Sequence, residues 1–295
     1  MTIVMTGATA GIGAEALKHF AELPDTKIYV GARGPGRTVP ENTAVIPLDL
    51  SSLTSVNSFA DQIKQLLGDD KIDVLVLNAG IQATDNRLRS VDGFELAFAT
   101  NHLSHYLLSR LLAPNLEKGA RLVITTSDAH DPNVVPFGPK TLDIEGLAYP
   151  TVKSPKGMAF YAATKLCNLL TARALSKNLA SDNDISVIAF NPGLTGDTSL
   201  MGKQSSLMKV LVIAIRPLFL IASVFKPAFF MGSAKRSGEA LAELALGKVV
   251  PPKDRIYASL VRGKLTFPNT STLAQNDDLR DLLWKESAKM TRLPL

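Results

Sequence analysis

Tyr161 and Lys165 are four residues apart, inside a segment whose apolar residues recur at helical spacing. Side chains at that spacing share one face of a helix, so the phenol and the ammonium would be neighbours. A tyrosine that exchanges a proton near neutral pH needs its pKa lowered from about 10 by roughly 2–3 units, and an adjacent lysine is a source of that lowering. The pair therefore predicts acid–base chemistry, although a surface tyrosine and lysine at chance spacing would look the same.

Further polar residues follow predicted strands, at the positions where open parallel sheets bind their ligands. Ser127 follows the fifth apolar run of the chain, and Asn78-Ala79-Gly80 follows the fourth. Both positions are also compatible with an ordinary turn or helix cap. Asn101 lies within a long helical pattern, where asparagine is mildly unfavourable, and this also indicates a functional role.

A glycine-rich turn joins the first predicted strand to the first predicted helix. Its glycines, Gly7, Gly11 and Gly13, have the spacing G-x-x-x-G-x-G. Glycine permits a tight turn and close approach of the backbone to a pyrophosphate, and the N-terminus of the helix then faces the phosphate. The turn therefore predicts a dinucleotide site, with a plain strand–helix turn as the alternative.

Short apolar runs alternate along the chain with segments of helical period. Unbroken runs of Val, Ile and Leu are typical of a parallel sheet that helices cover on both faces. The predicted strands are Ile3–Thr6, Lys27–Gly31, Ala44–Leu48, Asp73–Leu77, Arg121–Thr125, Ile185–Phe190 and Arg255–Ser259. The predicted helices are Ile12–Ala21, Leu53–Leu66, Phe94–Leu112 and Met158–Leu179. This order predicts an α/β, doubly wound Rossmann fold, with a parallel sheet of about seven strands and helices on both faces.

The composition excludes several classes of protein. With 46% hydrophobic and 20% charged residues, the 295-residue chain is neither disordered nor collagen-like. Its one cysteine, Cys167, excludes an internal disulfide framework, and the four histidines form no known metal-ligand pattern, so no metal is predicted. A net charge of +5 is too small and dispersed to indicate nucleic-acid binding.

No break in composition marks a domain boundary, so residues 1–295 are predicted to form one domain with a long loop over 131–157. A strand that begins at Thr2 leaves no room before it for a targeting signal. Together with the single cysteine, this favours a cytoplasmic protein.

From Thr2 to about Thr198, these motifs resemble in their order those of the short-chain dehydrogenase/reductase family. The resemblance rests on the glycine turn, Asp49-Leu50, Asn78-Ala79-Gly80, Asn101, Ser127, Tyr161 with Lys165, and Pro192-Gly193. Two subgroups are similar to this chain. Residues 101–108 and 127–130 resemble retinol-dehydrogenase-like members, whereas residues 165–171 and 196–198 resemble light-dependent protochlorophyllide reductases. The interval from Ser127 to Tyr161 is longer than usual in the first subgroup and shorter than usual in the second.

The resemblance implies the catalytic roles of four residues. Tyr161 would be the general acid in carbonyl reduction and the base in alcohol oxidation, and Ser127 would polarise the substrate oxygen. Lys165 would lower the pKa of Tyr161, helped by the positive charge of an oxidised nicotinamide, and would bind the nicotinamide ribose. Asn101 would hold a water in a proton relay to Lys165.

The resemblance also implies which residues hold the cofactor. The pyrophosphate would be surrounded by Gly7, Thr9, Ala10, Gly11, Ile12 and Gly13. The adenine would be flanked by Asp49 and Leu50, and the adenosine ribose by Asn78, Ala79 and Gly80. The nicotinamide side would be contacted by Tyr161, Lys165, Pro192, Gly193, Thr195 and Thr198, the last in place of Asp197, where many members have Thr or Ser.

The second predicted strand leads into Arg33, with Arg37 close by, and no acidic residue lies between Asp25 and Glu41. Proteins of this fold select NAD with an acidic residue at this point, which binds the ribose hydroxyls. A guanidinium binds a 2′-phosphate instead. We therefore predict NADP(H) as the cofactor, with two solvated loop arginines as the alternative.

Residues 207–230 are almost wholly apolar, and Arg216-Pro217 interrupts them near the middle. A membrane span needs about 20 uninterrupted apolar residues, so a bilayer-crossing helix is not expected. The remaining readings are a helical lid over a substrate pocket at about 196–235, a segment resting in a membrane interface, and plain core packing. We favour the lid and expect a bulky hydrophobic substrate, with weak peripheral membrane contact still open.

These observations predict an NADP(H)-dependent oxidoreductase that transfers hydride between nicotinamide and a carbonyl or hydroxyl group, as a monomer or homodimer. The enzyme alternative is light-driven double-bond reduction of the protochlorophyllide-reductase type. The alternatives from other classes are an NADP-sensing regulator and a membrane-associated scaffold.

Overall fold

The computed structural model describes residues 1–34, 38–83, 85–179, 184–196 and 226–295. The strands in this part of the chain are β1 (Thr2–Thr6), β2 (Lys27–Ala32), β3 (Thr43–Pro47), β4 (Ile72–Leu77), β5 (Leu116–Thr125), β6 (Ser186–Asn191), β7 (Leu194–Thr195), β8 (Met231–Gly232), β9 (Tyr257–Val261) and β10 (Lys264–Thr266). The helices are α1 (Gly11–Ala21), α2 (Leu53–Leu67), α3 (Leu96–Phe98), α4 (Ser104–Leu112), α5 (Ile144–Ala148), α6 (Gly157–Leu179), α7 (Ala234–Ala245) and α8 (Asp277–Thr291).

The central sheet of the described residues has eight strands in the order β10-β9-β6-β5-β4-β1-β2-β3. The strands from β3 to β9 in this order pair in parallel, and β10 alone pairs antiparallel. The predicted doubly wound sheet of about seven parallel strands is confirmed. The antiparallel β10 and the small β7–β8 pair are additions that the sequence reasoning missed.

Both faces of the sheet are covered, as the unbroken apolar strands predict. In β1, Ile3 and Met5 point to the face where α1 and α7 pack, and Val4 points to the face of α2, α4 and α6. All three side chains are fully buried. The last helix, α8, packs on the outside of α6 and buries Leu283. The helices therefore leave the carboxyl ends of the parallel strands together at one edge of the sheet.

The predicted helix Phe94–Leu112 begins two residues later than expected. Glu95 precedes its first turn, where the carboxylate accepts a hydrogen bond from the backbone N–H of Phe98 (2.6 Å). A π-helical segment, Ala99–Leu103, then joins α3 to α4. Single π-helical turns inside α-helices are frequent at functional sites. This one contains Asn101.

A predicted loop and a predicted helical segment differ in part from expectation. The predicted loop 131–157 contains the short helix α5. Asp143 caps the N-terminus of this helix, because its carboxylate accepts a hydrogen bond from the N–H of Gly146 (2.9 Å). The predicted covering segment, 196–235, lies mostly outside the described residues. Its described end is not one long helix, because a 3₁₀ turn (Pro227–Phe229), β8 and the start of α7 occupy it. Among the described residues, no helix is long and apolar enough to cross a bilayer.

Glu95 makes the stability of the fold depend on pH. The residue is fully buried, and burial raises the pKa of its carboxyl from 4.5 to about 7. Between pH 4.5 and about 7 the unfolded chain loses this proton while the folded chain keeps it. The free energy of unfolding therefore falls as pH rises through that window, by about 3 kcal/mol in total.

We expect Glu95→Gln to remove this slope. Chemical denaturation of the parent and the variant at pH 4.5, 6 and 8 measures it, and the variant should gain stability relative to the parent as pH rises. The control is Glu145→Gln, which neutralises an exposed carboxylate on α5 and should follow the parent at every pH. Equal pH dependence of the parent and Glu95→Gln would contradict the prediction.

Candidate active site

The residues predicted to act on a ligand converge at the carboxyl edge of the sheet. Parallel β1, β4, β5 and β6 end side by side there. Their ends lead into the glycine turn, Asn78-Ala79-Gly80, Ser127 and Pro192-Gly193 respectively. This is the edge at which open α/β sheets bind their ligands.

The glycine turn is packed so closely that only glycine fits two of its positions. Gly7 has a φ of +68°, and a Cβ there would lie 2.6 Å from the backbone nitrogen of Ala79. A Cβ on Gly13 would overlap the carbonyl oxygen of Gly7. Ala10 stands at the N-cap of α1 and supplies no side-chain hydrogen bond to its first turn. Because that turn has no side-chain cap, its N–H groups suit an anionic ligand, and the residues fit a dinucleotide pyrophosphate.

One hydroxyl, that of Thr6, ties this turn to the end of β4 and to α4. Its oxygen accepts hydrogen bonds from the backbone N–H groups of Asn78 (3.1 Å) and Ala79 (3.3 Å). Its proton is then available to Nε2 of His105, which lies 3.0 Å away. Burial lowers the pKa of His105 to about 3, so the imidazole is neutral and its Nδ1–H donates to the carbonyl of Asn101 (3.2 Å).

Sequence reasoning missed the part that Thr6 and His105 play. His105 entered it only as part of a family-like segment, and Thr6 only as the end of a strand. A polar residue on an otherwise apolar face of the predicted helix is the signal that could have identified His105.

Asn101 lies in the π-helical segment and holds the chain after Gly80. Its Oδ1 accepts from the N–H of Ile81 and its Nδ2 donates to the Ile81 carbonyl, both at 2.8 Å. Nδ2 also donates to Oγ1 of Thr164 (3.1 Å). The side chain therefore clamps a backbone segment of the site, and its predicted part in a water relay stays a prediction.

Lys165 is buried beside the end of β5. Its Nζ donates to the carbonyl of Thr125 (3.1 Å), and its own carbonyl accepts from the hydroxyl of Thr126 (2.7 Å). Nζ lies 5.6 Å from the ring centre of Tyr161, so the predicted pairing of ammonium and phenol on one helix face is present. Burial lowers the pKa of Lys165 to about 8.

Tyr161 differs from expectation in the direction of its pKa. The phenol is 8% exposed, and its burial raises the pKa above the usual range; the nearby Asp128 carboxylate raises it further. The lowering of the Tyr161 pKa that was predicted from Lys165 is outweighed, because desolvation disfavours the phenolate more strongly. Burial and the Asp128 charge therefore both favour the protonated phenol.

Ser127 stands at the N-cap of a 3₁₀ turn, Asp128–His130. Its Oγ accepts from the N–H of Ala129 (3.2 Å) and donates to Oδ1 of Asp128 (3.5 Å). The turn is fixed from behind by His130, whose Nδ1–H reaches the Ser127 carbonyl at 2.7 Å. Ser127 therefore caps this turn, which was the alternative to a ligand-binding role, and it lies at the carboxyl edge of the sheet.

The loop after β6 is held by polar contacts from both sides. The N–H of Gly193 donates to Oδ1 of Asn191 (3.1 Å), and the Ser237 hydroxyl donates to the carbonyl of Pro192 (2.9 Å). Thr195 Oγ1 lies 3.3 Å from the Ser237 hydroxyl. The loop is therefore tied to α7, in the place where the resemblance puts the nicotinamide.

The remaining predicted residues lie around this edge or outside the described residues. Arg33 is exposed directly after β2, and Asp49 accepts from the N–H and the hydroxyl of Ser51 in the turn after β3. Leu50 is buried beneath that turn. Arg37 and Thr198 fall outside the described residues.

Cys167 is fully buried on α6, and burial raises the pKa of its thiol. A thiol of this kind packs as a small apolar group. In the described ranges, no group of three or more His, Cys, Asp or Glu side chains could hold a metal ion.

Comparison with known proteins finds similar sequences and similar folds. A family model described as short chain dehydrogenase matches residues 1–136. A chloroplastic protochlorophyllide reductase of Cucumis sativus is 29% identical over 322 residues, which cover 99% of this chain and 78% of that protein.

Solved structures share the fold along most of the chain. An uncharacterised protein of Mycobacterium paratuberculosis has a TM-score of 0.69 at 26% identity, covering 100% of this chain and 95% of its own. A short-chain dehydrogenase of Burkholderia cenocepacia, in complex with NADP, has a TM-score of 0.57 at 20% identity, covering 82% of this chain and 89% of its own. The order of the motifs and the family model agree that residues 1–136 are similar to short-chain dehydrogenases, and the relatives match the chain along nearly its whole length.

Proposed function

We propose that this chain is an NADP(H)-dependent oxidoreductase that transfers hydride between nicotinamide and a carbonyl or hydroxyl group of a bulky hydrophobic substrate. The observation that carries the proposal is the meeting of two features at one sheet edge. The uncapped N-terminus of α1 suits a pyrophosphate, and Ser127, Tyr161 and Lys165 lie beyond the neighbouring strand ends. The apolar residues 207–230 support a hydrophobic substrate.

A cofactor held at the glycine turn would supply the hydride for the carbonyl carbon. Ser127 orients the substrate oxygen with its hydroxyl, and Tyr161 donates its proton to that oxygen as negative charge develops there. The raised pKa of Tyr161 suits this donor role. In alcohol oxidation, the same phenol would take the proton back.

Lys165 and Asn101 hold the parts that must not move. Lys165 fixes the end of β5 through the Thr125 carbonyl, and its ammonium lies on the side of α6 that carries Tyr161. Asn101 holds Ile81 and so places Gly80, where an added Cβ would lie 3.3 Å from the Lys165 ammonium. A displacement of about 1 Å at such positions can reduce a rate by about 100-fold.

The choice of NADP(H) rests on Arg33. It follows β2 directly, and Asp or Glu, which would repel a 2′-phosphate, is missing from the sequence between Asp25 and Glu41. The Burkholderia cenocepacia relative was solved with NADP, which supports the same choice.

A substrate panel with NADPH tests the function, and Tyr161→Phe tests the mechanism. The panel covers aldehydes of rising chain length, ketones, retinoids and steroids, with turnover read as loss of nicotinamide absorbance.

Tyr161→Phe removes the donated proton and keeps the ring, so we expect kcat to fall by at least about 100-fold while NADPH affinity stays near that of the parent. The control is Tyr149→Phe, which removes the hydroxyl of a half-exposed ring and should leave kcat unchanged. Most of the activity surviving in Tyr161→Phe would exclude the phenol as the donor.

Arg33→Ala tests the cofactor choice. Loss of the guanidinium removes the partner of the 2′-phosphate, so we expect the preference for NADPH over NADH, measured as the ratio of kcat/KM values, to fall by about tenfold or more. Lys18→Ala removes an exposed cation from α1 and should keep the parent ratio. An unchanged ratio in Arg33→Ala would show that another residue selects the cofactor.

A second candidate function is light-dependent reduction of a double bond in protochlorophyllide. The match to the Cucumis sativus reductase over 99% of this chain favours it. We expect turnover of protochlorophyllide with NADPH under illumination and none in darkness if this candidate is correct. Turnover of the carbonyl panel without that of protochlorophyllide would favour the first function, and NADPH binding without any turnover would favour a regulatory protein.

A further inference from the structure

Asp128 places a carboxylate among the reacting groups, and the proposed mechanism gives it no part. It directly follows Ser127 and receives the long hydrogen bond from the Ser127 hydroxyl (3.5 Å). Asn191, at the end of β6, lowers the pKa of the same carboxyl, and its Nδ2 donates to the Ser259 hydroxyl (2.9 Å). The carboxylate thus lies beside the Ser127 hydroxyl, in the turn that follows β5.

The turn that carries Asp128 is packed against the helix that carries Tyr161. Ala129, which follows Asp128, and Ala162, which follows Tyr161, lie in one apolar cluster. The Thr126 hydroxyl, two residues before Asp128, is bonded to the Lys165 carbonyl on the same helix (2.7 Å). These contacts allow little independent movement of the carboxylate and the phenol.

The ionisable groups that face Asp128 come from three parts of the chain. Tyr161 lies on α6 and Tyr257 on β9, and the negative charge of Asp128 raises the pKa of both phenols. On its own turn, His130 and Asp131 follow it, and the buried ring of His130 packs edge-on to Tyr257. Burial raises the pKa of the Asp128 carboxyl, and the hydrogen bonds from Asn191 and Ser127 oppose that rise.

We propose that Asp128 is a positioning residue that acts through Tyr161, and that its negative charge holds the proton on the phenol and so biases the site toward carbonyl reduction. In reduction, the O–H bond of Tyr161 breaks as a new O–H bond forms on the substrate oxygen. In oxidation, the phenolate must form first, and a neighbouring negative charge opposes it. The inference rests on the proposed function for its direction of reaction.

Asp128→Asn tests the inference, because it keeps the size of the side chain and removes the charge. We expect the midpoint of the pH profile of kcat/KM that reports Tyr161 to move down by about one unit or more in both directions of reaction. At a pH below that midpoint, kcat/KM for alcohol oxidation should rise by up to about tenfold. The control is Asp131→Asn, which removes a charge three residues further along the chain and should leave the midpoint in place.

A second readout does not depend on turnover. Ionisation of Tyr161 is followed as the ultraviolet absorbance of tyrosinate during a pH titration, with and without NADP+, by subtracting the matching Tyr161→Phe variant in each background. The subtraction removes the other four tyrosines, including Tyr257, which also feels Asp128. Tyr161 should ionise at lower pH in Asp128→Asn than in the parent.

The outcomes separate the inference from the proposed function. A uniform loss of kcat without a shift of the midpoint would show that Asp128 is only structural and would overturn the inference, as would an unchanged titration of Tyr161. If the parent turns over no member of the panel, the proposed function fails, and the ultraviolet titration alone decides the role of Asp128.

Discussion

Two hydrogen bonds that run in opposite directions join α6 to the end of β5. The Lys165 ammonium donates to the Thr125 carbonyl, and the Thr126 hydroxyl donates to the Lys165 carbonyl. Nδ2 of Asn168 adds a third, again to Thr125 (3.1 Å). A buried lysine is stable only with such partners, so these hydrogen bonds fix the position of the helix relative to the end of the strand. The position of Tyr161, one turn before Lys165, relative to Ser127 depends on them.

Desolvation sets the electrostatics of the whole edge. It keeps His105 neutral, so that its tautomer can link Thr6 to Asn101, and it brings the pKa of Lys165 to about 8. It also raises the pKa of Tyr161, together with the Asp128 charge. The same burial that makes the hydrogen bonds strong therefore disfavours every charged form, unless a ligand supplies a compensating charge.

The sequence was sufficient for the features that depend on local pattern. The parallel strands and α1, α2 and α6 were predictable, because burial on both faces leaves unbroken apolar runs and the glycine turn marks the first helix. The motif residues Ser127, Tyr161 and Lys165 were identifiable from type and spacing. The sheet edge places them where the pattern predicts.

Features that depend on tertiary contacts could not be predicted in this way. The π-helical segment contains Asn101, whose side chain holds Ile81, 20 residues away. The role of His105 depends on Thr6, 99 residues away. The direction of the Tyr161 pKa depends on burial and on Asp128, neither of which can be read from a spacing of four. The helix α8 carries salt bridges such as Arg280–Asp277 (2.6 Å), and its polar composition masks its apolar face.

The two ends of the sheet have a consequence for how the chain meets copies of itself. At one end, β10 has three residues and turns back through Arg262 and Gly263, both with positive φ. At the other end, β3 finishes at Pro47, which has no N–H to offer a further strand. Short, interrupted borders of this kind give an incoming strand few backbone groups to pair with. Growth of the sheet from chain to chain, the geometry of fibrils, is thereby disfavoured at both borders.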